Sequence, residues 1–338
     1  MENKSYTLEE VKKEANLFLN AKAGNINTYL SYRTSLNYFL YYLEHIVQVN
    51  KVECRNITTL IEAYQTSLFN GFTYEVESAE ALIGFNEENF KPIHKEIKLS
   101  ASGVNSNIRR IKTFFNKCFN IEVELKKLDE GEAKYKALKN DEVEKLIDNC
   151  SNKWKKEEIA IRNATLIRFL FNTGFRISEA LGIKTNEIYE KNNGCQYVKI
   201  QEKGKRKKTE VRIAESDYEH IKEYISLKAV PSDFIFSTTK ASEDGKAKKL
   251  SRQQFNRDVK ALARYVDSEE GTNISEVVKN NSSHVFRHSA AINQLEYYTV
   301  DIMKVKKFLR HSSINSTQIY LNASDSEVDE IRINNILK

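Results

Sequence analysis

The sequence contains few cysteines and few prolines. Its four cysteines, Cys54, Cys118, Cys150 and Cys195, are scattered singly, without the paired spacing that is typical of disulfide frameworks, redox motifs and metal sites. We therefore expect free thiols in a reducing compartment and no bound metal. Only two prolines occur, while asparagine, lysine and isoleucine are plentiful, a bias that indicates an AT-rich genome more than a structural requirement.

Long apolar runs are also missing. No segment reaches the roughly 20 consecutive apolar residues that a membrane-spanning helix needs. The opening Met-Glu-Asn-Lys-Ser-Tyr lacks the apolar region of a signal peptide. We expect a cytoplasmic protein that has no membrane partner.

The length and composition of the chain suit two globular domains. It has 338 residues, of which 40% are hydrophobic and 30% charged, enough for two domains that each have their own core. The formal net charge is +6 and the isoelectric point about 8.8. This modest basic excess is compatible with nucleic-acid binding but does not establish it.

The first part of the chain, residues 1–120, is predicted to be an all-helical domain. Thr7 and Glu10 have the spacing of a capping box. The apolar residues that follow, from Val11 to Leu43, recur at helical spacing and are expected to form core rather than a platform for stacking bases. Further helices are expected at residues 56–69, 77–84 and 87–97 and after Gly103.

Basic side chains lie off the apolar face of the helix after Gly103. They are Arg109, Arg110 and Lys112. Such a face can lie against a DNA backbone, and a solvated surface explains it equally well. Residues 121–136 then lose the helical pattern and become rich in charge, so we predict an interdomain linker there.

The second domain is predicted over residues 137–325, mainly helical with a small β-sheet. Strands are expected at 196–201 and 209–213, where apolar residues alternate. Residues 267–282 are polar and are expected to form a loop. A further short helix is predicted at 326–338.

Two basic segments lie in this domain. The run between the two predicted strands contains Lys203, Lys205, Arg206 and Lys207, and is either a solubilising hairpin tip or a hairpin that lies on DNA. The other segment leads into a predicted helix and suits a contact with the DNA backbone; it contains Lys248, Lys249 and Arg252.

Three stretches carry side chains that are suited to phosphoryl transfer. Arg176 opens a predicted helix, His284 and Arg287 stand three residues apart, and His311 precedes Tyr320 by nine residues. Guanidiniums match phosphate oxygens and keep their charge, and a tyrosine that forms a covalent intermediate divides one displacement into two. Singly, each residue suits a capping, surface or core role. Together and in this order, they favour a phosphodiester site that needs no metal.

These stretches, Thr173–Leu181, His284–His288 and Leu309–Tyr320, resemble the three signature segments of the tyrosine recombinases, the family of phage integrase, Cre and Xer. The resemblance covers about residues 137–325 in detail. One departure is Arg310, where members often have glycine, and an additional phosphate contact is expected from it. The family's order of catalytic residues falls here on Arg176, a lysine, His284, Arg287, His311 and Tyr320.

The resemblance implies a role for each of these residues. Tyr320 would attack the scissile phosphate of DNA to give a 3′-phosphotyrosine and a free 5′-hydroxyl. Arg176, Arg287 and His311 would hold the non-bridging oxygens, and His284 would assist proton movement at the tyrosine. No cofactor is implied.

Two further residues are assigned less directly. The family pattern puts the general acid at Lys203, before the glycine of the hairpin turn, with Lys205 as the alternative because the loop is one residue longer than usual. Glu179 lies one helical turn after Arg176. It either orients a catalytic partner or balances the charge.

The resemblance also implies an assembly. Two domains would clamp a specific double-stranded DNA site, and four protomers on two sites would exchange strands through a Holliday junction, near the nucleoid. The helix at 326–338 would dock on a neighbouring protomer or on its own domain. Resolution of chromosome or plasmid dimers and movement of a mobile element are alternative biological roles. A type IB topoisomerase and a DNA-binding relative without catalysis are alternative activities.

Overall fold

The computed structural model describes residues 4–85, 88, 90–131, 136–202, 204–279, 283–296, 300–318 and 320, with the backbone alone for residues 296 and 315. The chain divides by its contacts into two compact units, Met1–Glu132 and Ala133–Lys338. The predictions made for Lys203 and for the helix at 326–338 lie outside the described residues.

The first unit combines four α-helices with two antiparallel strand pairs. Strand β1 pairs with β2, and β3 pairs with β4. The elements are β1 (Ser5–Thr7), α1 (Leu8–Asn20), α2 (Ile26–Tyr41), β2 (Lys51–Glu53), α3 (Ile57–Asn70), β3 (Phe72–Val76), β4 (Ile93–Ile97) and α4 (Ala101–Phe119).

Helix α1 begins where the sequence predicts it. The Glu10 backbone N–H donates to Thr7 Oγ1 at 3.2 Å, and the Glu10 carboxylate accepts from the Thr7 backbone N–H at 2.7 Å. These bonds satisfy two donors that the helix itself cannot satisfy. The bond from the Thr7 backbone N–H, and then that from the Thr7 hydroxyl, lower the pKa of the Glu10 carboxyl.

The apolar face of α2 forms the core of this unit, as predicted. Leu36, Phe39 and Leu40 are buried. The Phe39 ring meets Tyr64 of α3 and Phe115 of α4 edge-on, with centroids 5.1 and 5.8 Å apart. Edge-to-face packing of this kind is favourable for aromatic quadrupoles. These rings are therefore structural.

Two of the predicted helices in this unit were wrong. Residues 93–97 form strand β4, and the segment 77–84 contains only a 3-10 turn at Ala79–Ala81. The strand pair follows a two-residue period, since Phe72, Tyr74 and Val76 are buried while the residues between them are exposed. Helix α4 also begins earlier than predicted, because Ser100 Oγ caps the Gly103 N–H.

The described part of the predicted linker is extended and packs on the first unit. Residues 121–131 run along α3 and α4: the Gln65 amide donates to Lys126 O at 3.1 Å, and Asn105 bonds both backbone groups of Leu128 at 2.9 Å. Val123 is buried. The alternation Ile121, Val123, Leu125 is a strand-like pattern that the charged residues between them obscure.

The second unit is helical with a three-stranded antiparallel sheet, ordered β5-β6-β7, and the strand pair β8-β9. Its strands are β5 (Ile188–Glu190), β6 (Gln196–Ile200), β7 (Thr209–Ile213), β8 (Ser237–Ala241) and β9 (Ala247–Lys249). Its helices are α5 (Asn140–Asp148), α6 (Cys150–Lys153), α7 (Glu157–Thr173), α8 (Ile177–Leu181), α9 (Glu215–Ser226), α10 (Arg252–Glu270), α11 (Ile274–Val278), α12 (His284–Glu296), α13 (Ile302–Leu309) and α14 (Asn315–Gln318).

Helix α7 lies at the centre of this unit. Its residues Leu166, Phe169 and Leu170 are fully buried, and the helix contacts α5, α9 and α12. The predicted strands are present as β6 and β7, whereas β5 was missed. The predicted loop at 267–282 was wrong in part: α10 continues to Glu270, and Asp267 caps α11 by accepting from the backbone N–H groups of Ile274 and Ser275.

The prediction of a mainly helical chain with small β-sheets is confirmed. Among the described residues, no helix combines the length and the apolar character that crossing a membrane requires.

A buried amide provides a test of the first unit. Asn37 exchanges two hydrogen bonds with the backbone of Ile83, at 2.9 and 3.0 Å. Asn37→Ala leaves both backbone groups without partners and should cost about 2–3 kcal/mol of unfolding free energy. Hydrogen exchange of peptides from this unit should speed up accordingly.

Asn27→Ala is the matched control, because Asn27 is exposed on the same helix. It should change exchange little. Equal exchange in the two variants would show that the Asn37 bonds contribute nothing.

Candidate active site

The first part of the site is the junction between α7 and α8. Helix α7 ends at Gly174, which has φ of +59° and donates its N–H to Leu170 O at 3.0 Å. Glycine adopts this left-handed backbone at little cost. Two residues later Arg176 caps α8 in extended conformation. The turn at Gly174 therefore places Arg176 at the start of α8, immediately after the end of α7.

A buried carboxylate holds Arg176 in position. Glu179 accepts from the Arg176 backbone N–H and from Arg176 Nη1, both at 2.9 Å. The same carboxylate accepts from Arg310 Nη2 at 3.1 Å. Glu179 is 2% exposed, so water does not compete for these charge-assisted bonds. Both roles predicted for Glu179, orienting a partner side chain and balancing its charge, are compatible with this geometry.

Arg310 places a second guanidinium beside Arg176. It ends α13 with φ of +55°, the conformation that glycine favours. Its guanidinium lies 4.4 Å from the centroid of the Phe175 ring, and Nη1 donates to Phe308 O at 3.1 Å. Burial lowers its pKa. Its Nε is buried and has no hydrogen-bond partner among the described residues.

Arg287 joins the separate segments of the site. It lies on α12 and is 3% exposed. Nη1 donates to Gly174 O, and Nη2 donates to Leu309 O at 2.6 Å. Burial and then the neighbouring Arg176 lower its pKa to about 10, so Arg287 remains charged at neutral pH.

Tyr320 lies against a histidine that was not among the predicted site residues. Its hydroxyl is 2.9 Å from Nδ1 of His288. The tyrosine is 3% exposed and its ring packs in an apolar cluster with Ala291, Val305 and Leu309. His284, which was expected to serve the tyrosine, lies one turn earlier on α12, with its ring centroid 6.3 Å from that of His288.

His311 stacks on the other side of the site. Its ring is nearly parallel to that of Tyr320, with centroids 6.4 Å apart. Nδ1 is 2.8 Å from Thr317 Oγ1, and the backbone N–H bonds Lys306 O at 3.0 Å. These contacts fix the ring plane.

All three imidazoles have lowered pKa values. Burial is the largest cause in each, followed by neighbouring basic side chains: Arg287 acts on His284 and His311, and His284 and then Arg287 act on His288. The pKa falls to about 4 for His288 and His311. These two rings are therefore neutral at pH 7 and can each accept one hydrogen bond and donate another.

A cavity of about 460 Å³ opens beside these residues. It is lined by Arg176, Glu202, Lys205, Arg310, His311 and Ser312. Lys205 Nζ is 2.7 Å from the Glu202 carboxylate. The cationic side chains of the lining and of Arg287 outnumber the two carboxylates Glu179 and Glu202. The pocket therefore attracts anions, and its forked donors match the oxygens of a phosphate.

The remaining predicted contact residues lie elsewhere. Arg206, Lys207, Lys248, Lys249 and Arg252 are exposed in the second unit. Arg252 opens α10 and lowers the pKa of His284.

In the first unit, Arg109 and Lys112 border a groove against residues 122–127. Arg110 is half-buried, donates to Ser35 Oγ at 3.4 Å, and has a pKa lowered by burial. Arg110 is therefore the least available of the three for an outside partner.

No group of three or more histidine, cysteine, aspartate or glutamate side chains in the described part of the chain is arranged to hold a metal ion.

Comparison with known proteins identifies this arrangement. The family model described as "Phage integrase family" matches residues 136–327, more than half of the chain. The chain belongs to the phage integrase family, the tyrosine recombinases. The predicted resemblance is thereby confirmed, and the match contains all three signature segments.

Curated relatives of this chain include Xer recombinases. It is 28% identical over 190 residues to tyrosine recombinase XerC of Caldanaerobacter subterraneus subsp. tengcongensis, covering 56% of this chain and 48% of the relative. It is 27% identical over 271 residues to XerD of Chlorobaculum tepidum, covering 76% and 82%. The chain thus matches about half the length of some relatives and most of others.

Solved structures share the fold. The post-cleavage complex of the XerH site-specific recombinase with a palindromic difH substrate has a TM-score of 0.62 at 19% identity, covering 90% of this chain and 79% of that one. The Tn1549 transposon integrase in complex with transposon right end DNA has a TM-score of 0.59 at 14% identity, covering 97% and 100%. At these identities the likeness concerns the fold alone.

The turn at Gly174 gives a sharp test of how the site is built. A Cβ at Gly174 would lie 2.8 Å from the Phe308 ring and 3.0 Å from Leu309 Cδ2. Gly174→Ala should therefore lower the unfolding free energy by about 2–5 kcal/mol, through both left-handed strain and overpacking. Urea unfolding followed by the fluorescence of Trp154, the single tryptophan, measures this in the second unit.

Gly194→Ala is the control, since Gly194 also has positive φ but open space around it. It should cost only the backbone strain of about 1–2 kcal/mol. Equal losses in the two variants would mean that the approach of α13 to Gly174 is not tight.

Proposed function

We propose that this protein is a site-specific tyrosine recombinase. It cuts and rejoins duplex DNA through a 3′-phosphotyrosine intermediate at Tyr320, and exchanges strands between two sites through a Holliday junction. The observation that carries the proposal is that Arg176 and His311 line one cavity, with Arg287 tied to both flanking segments and the His311 ring stacked on Tyr320, in a chain of this family. The recombination named for its Xer relatives supports it.

The proposed chemistry uses charge without a metal. Arg176 and Arg287 donate forked bonds to the non-bridging oxygens and stabilise the charge of the five-coordinate transition state. His311 adds a donor through Nε2–H if its Nδ1 accepts the Thr317 hydroxyl proton. Arg310, in the same pocket, contributes a further contact to the scissile phosphate or to the adjacent phosphate.

The proton of the leaving 5′-oxygen comes from a lysine of the β6–β7 hairpin. We assign this general acid to Lys203, with Lys205 as the alternative. Lys205 lines the cavity with Arg176, which keeps that alternative open. Protonation in the transition state makes the 5′-oxygen a better leaving group.

The proposed substrate is a specific double-stranded DNA site, held by both units. Arg109, Arg110 and Lys112 on α4 contact the backbone from one unit. In the second unit, Arg206 and Lys207 of the hairpin contact the DNA backbone. The segment with Lys248, Lys249 and Arg252 contacts it as well. Four protomers assemble on two sites. DNA-bound relatives of the same fold support the choice of DNA.

Tyr320→Phe tests the nucleophile. A duplex selected for binding from a random pool and nicked near the cleavage point traps the covalent adduct, which migrates slowly in a denaturing gel. The wild type should form it. Tyr320→Phe should bind the same duplex with similar affinity and form none, because only the attacking hydroxyl is removed.

An adduct that survives in Tyr320→Phe would overturn the assignment and direct attention to Tyr297 and Tyr298. Relaxation of supercoiled DNA without sequence preference would favour the topoisomerase activity instead.

Lys203→Ala tests the general acid. A substrate with sulfur in place of the 5′-bridging oxygen has a leaving group that needs little protonation. Cleavage of normal DNA should fall about 10²-fold or more in Lys203→Ala and recover on the sulfur substrate. Arg176→Ala should not recover, since its role is charge stabilisation. Recovery by Lys205→Ala instead would transfer the assignment to Lys205.

A further inference from the structure

The hydrogen bond between His288 and Tyr320 involves a histidine to which the family resemblance assigned no catalytic role. His288 follows Arg287 directly, and α12 turns its ring towards the tyrosine and not towards the cavity lined by Arg176 and His311. Nδ1 lies 2.9 Å from the Tyr320 hydroxyl, and the ring centroids are 5.5 Å apart. This is the distance expected between a nucleophile and its base.

We propose that His288 is the general base that takes the phenolic proton of Tyr320. In the forward step the Tyr320 Oη–H bond breaks and the proton moves to His288 Nδ1. An Oη–P bond forms and the bond from phosphorus to the 5′-oxygen breaks, while the 5′-oxygen takes a proton from the hairpin lysine. In rejoining, the 5′-hydroxyl attacks and returns its proton to that lysine, and the imidazolium returns its proton to the departing phenolate. The inference rests on the proposed function.

The protonation state of His288 suits this role. Since burial, His284, Arg287 and His311 all lower its pKa, the ring is neutral before DNA binds. A neutral imidazole at this distance accepts the phenol's hydrogen bond at Nδ1, which assigns its own proton to Nε2. A bound phosphodiester brings negative charge among the same arginines. It therefore makes the imidazolium easier to form when the proton is transferred.

The rings around Tyr320 also separate two roles. His288 touches the hydroxyl, whereas His311 lies parallel to the tyrosine ring and lines the phosphate cavity. One histidine is placed for the nucleophile's proton and the other for the phosphate. The pKa of His284 is lowered by burial and then by the charges of Arg287, Arg252 and Arg176.

A rival interpretation is that the bond is a latch. Tyr320 is 3% exposed, so its hydroxyl must approach the phosphate by a shift of the ring or of the residues around it. If His288 only retained the tyrosine in a resting position, removing the imidazole would speed cleavage. A general base predicts the opposite sign, which makes the two readily separable.

The test compares two substitutions at position 288 in the full chain. His288→Asn keeps an acceptor oxygen near the position of Nδ1 but cannot take a proton, and His288→Ala removes both functions. The probe is the nicked duplex recovered by selection, and the measured quantity is the single-turnover rate of adduct formation. Both variants should be slower than wild type by about 10²-fold or more. His220→Gln on α9 is the control and should leave the rate unchanged.

Fluorinated tyrosine at position 320 supplies the second readout. Fluorine lowers the phenol pKa, so a base is needed less. The deficit of His288→Asn relative to wild type should shrink with increasing fluorination. A purely structural defect would not respond. This rescue also identifies a folded protein, so loss of activity by misfolding is not mistaken for loss of the base.

The outcomes separate the two proposals. If the wild type forms no adduct on any selected duplex, the proposed function fails and the inference with it. If the wild type forms the adduct and Tyr320→Phe does not, but His288→Asn reacts at the wild-type rate or faster, only the inference is overturned. A slowed His288→Asn whose deficit is unaffected by fluorination also overturns it.

Discussion

The site depends on one buried guanidinium. Arg287 donates to the carbonyl of Gly174, more than a hundred residues earlier, and to that of Leu309, which ends α13. A buried charge is costly unless its donors are satisfied, so these two carbonyls must stay where they are. The end of α7, the first turn of α12 and the end of α13 are thereby held in one arrangement, which brings Arg176 and His311 to the same cavity.

A second charge, the Glu179 carboxylate, completes this arrangement. It binds Arg176 through backbone and side chain and also reaches Arg310. Repulsion among Arg176, Arg287 and Arg310 would otherwise push these side chains apart, because they share a small volume. One buried acid allows three arginines to remain together before an anionic ligand arrives. Pre-arranged donors of this kind lose little free energy in reorganisation when charge develops.

The same burial that orders the arginines keeps the imidazoles neutral. His288 and His311 are both partly buried near Arg287, and both pKa values fall to about 4. A neutral ring can accept at one nitrogen and donate at the other, which a charged ring cannot. The two histidines thus meet different surroundings: His288 bonds Tyr320, and His311 lines the cavity beside Arg176.

By itself, the sequence determined the helices with strong caps and periodic apolar faces, such as α1, and the membership of the family through the spacing of Arg176, Arg287 and Tyr320. Helix caps and apolar periodicity are local patterns along the chain. The site residues are recognisable because phosphoryl transfer requires particular side-chain types. It did not determine β3 and β4, the packing of residues 121–131, or the partner of Tyr320. Strand pairing depends on segments distant in sequence, and only the meeting of α12 with the chain near Tyr320 decides that His288, not His284, reaches the hydroxyl.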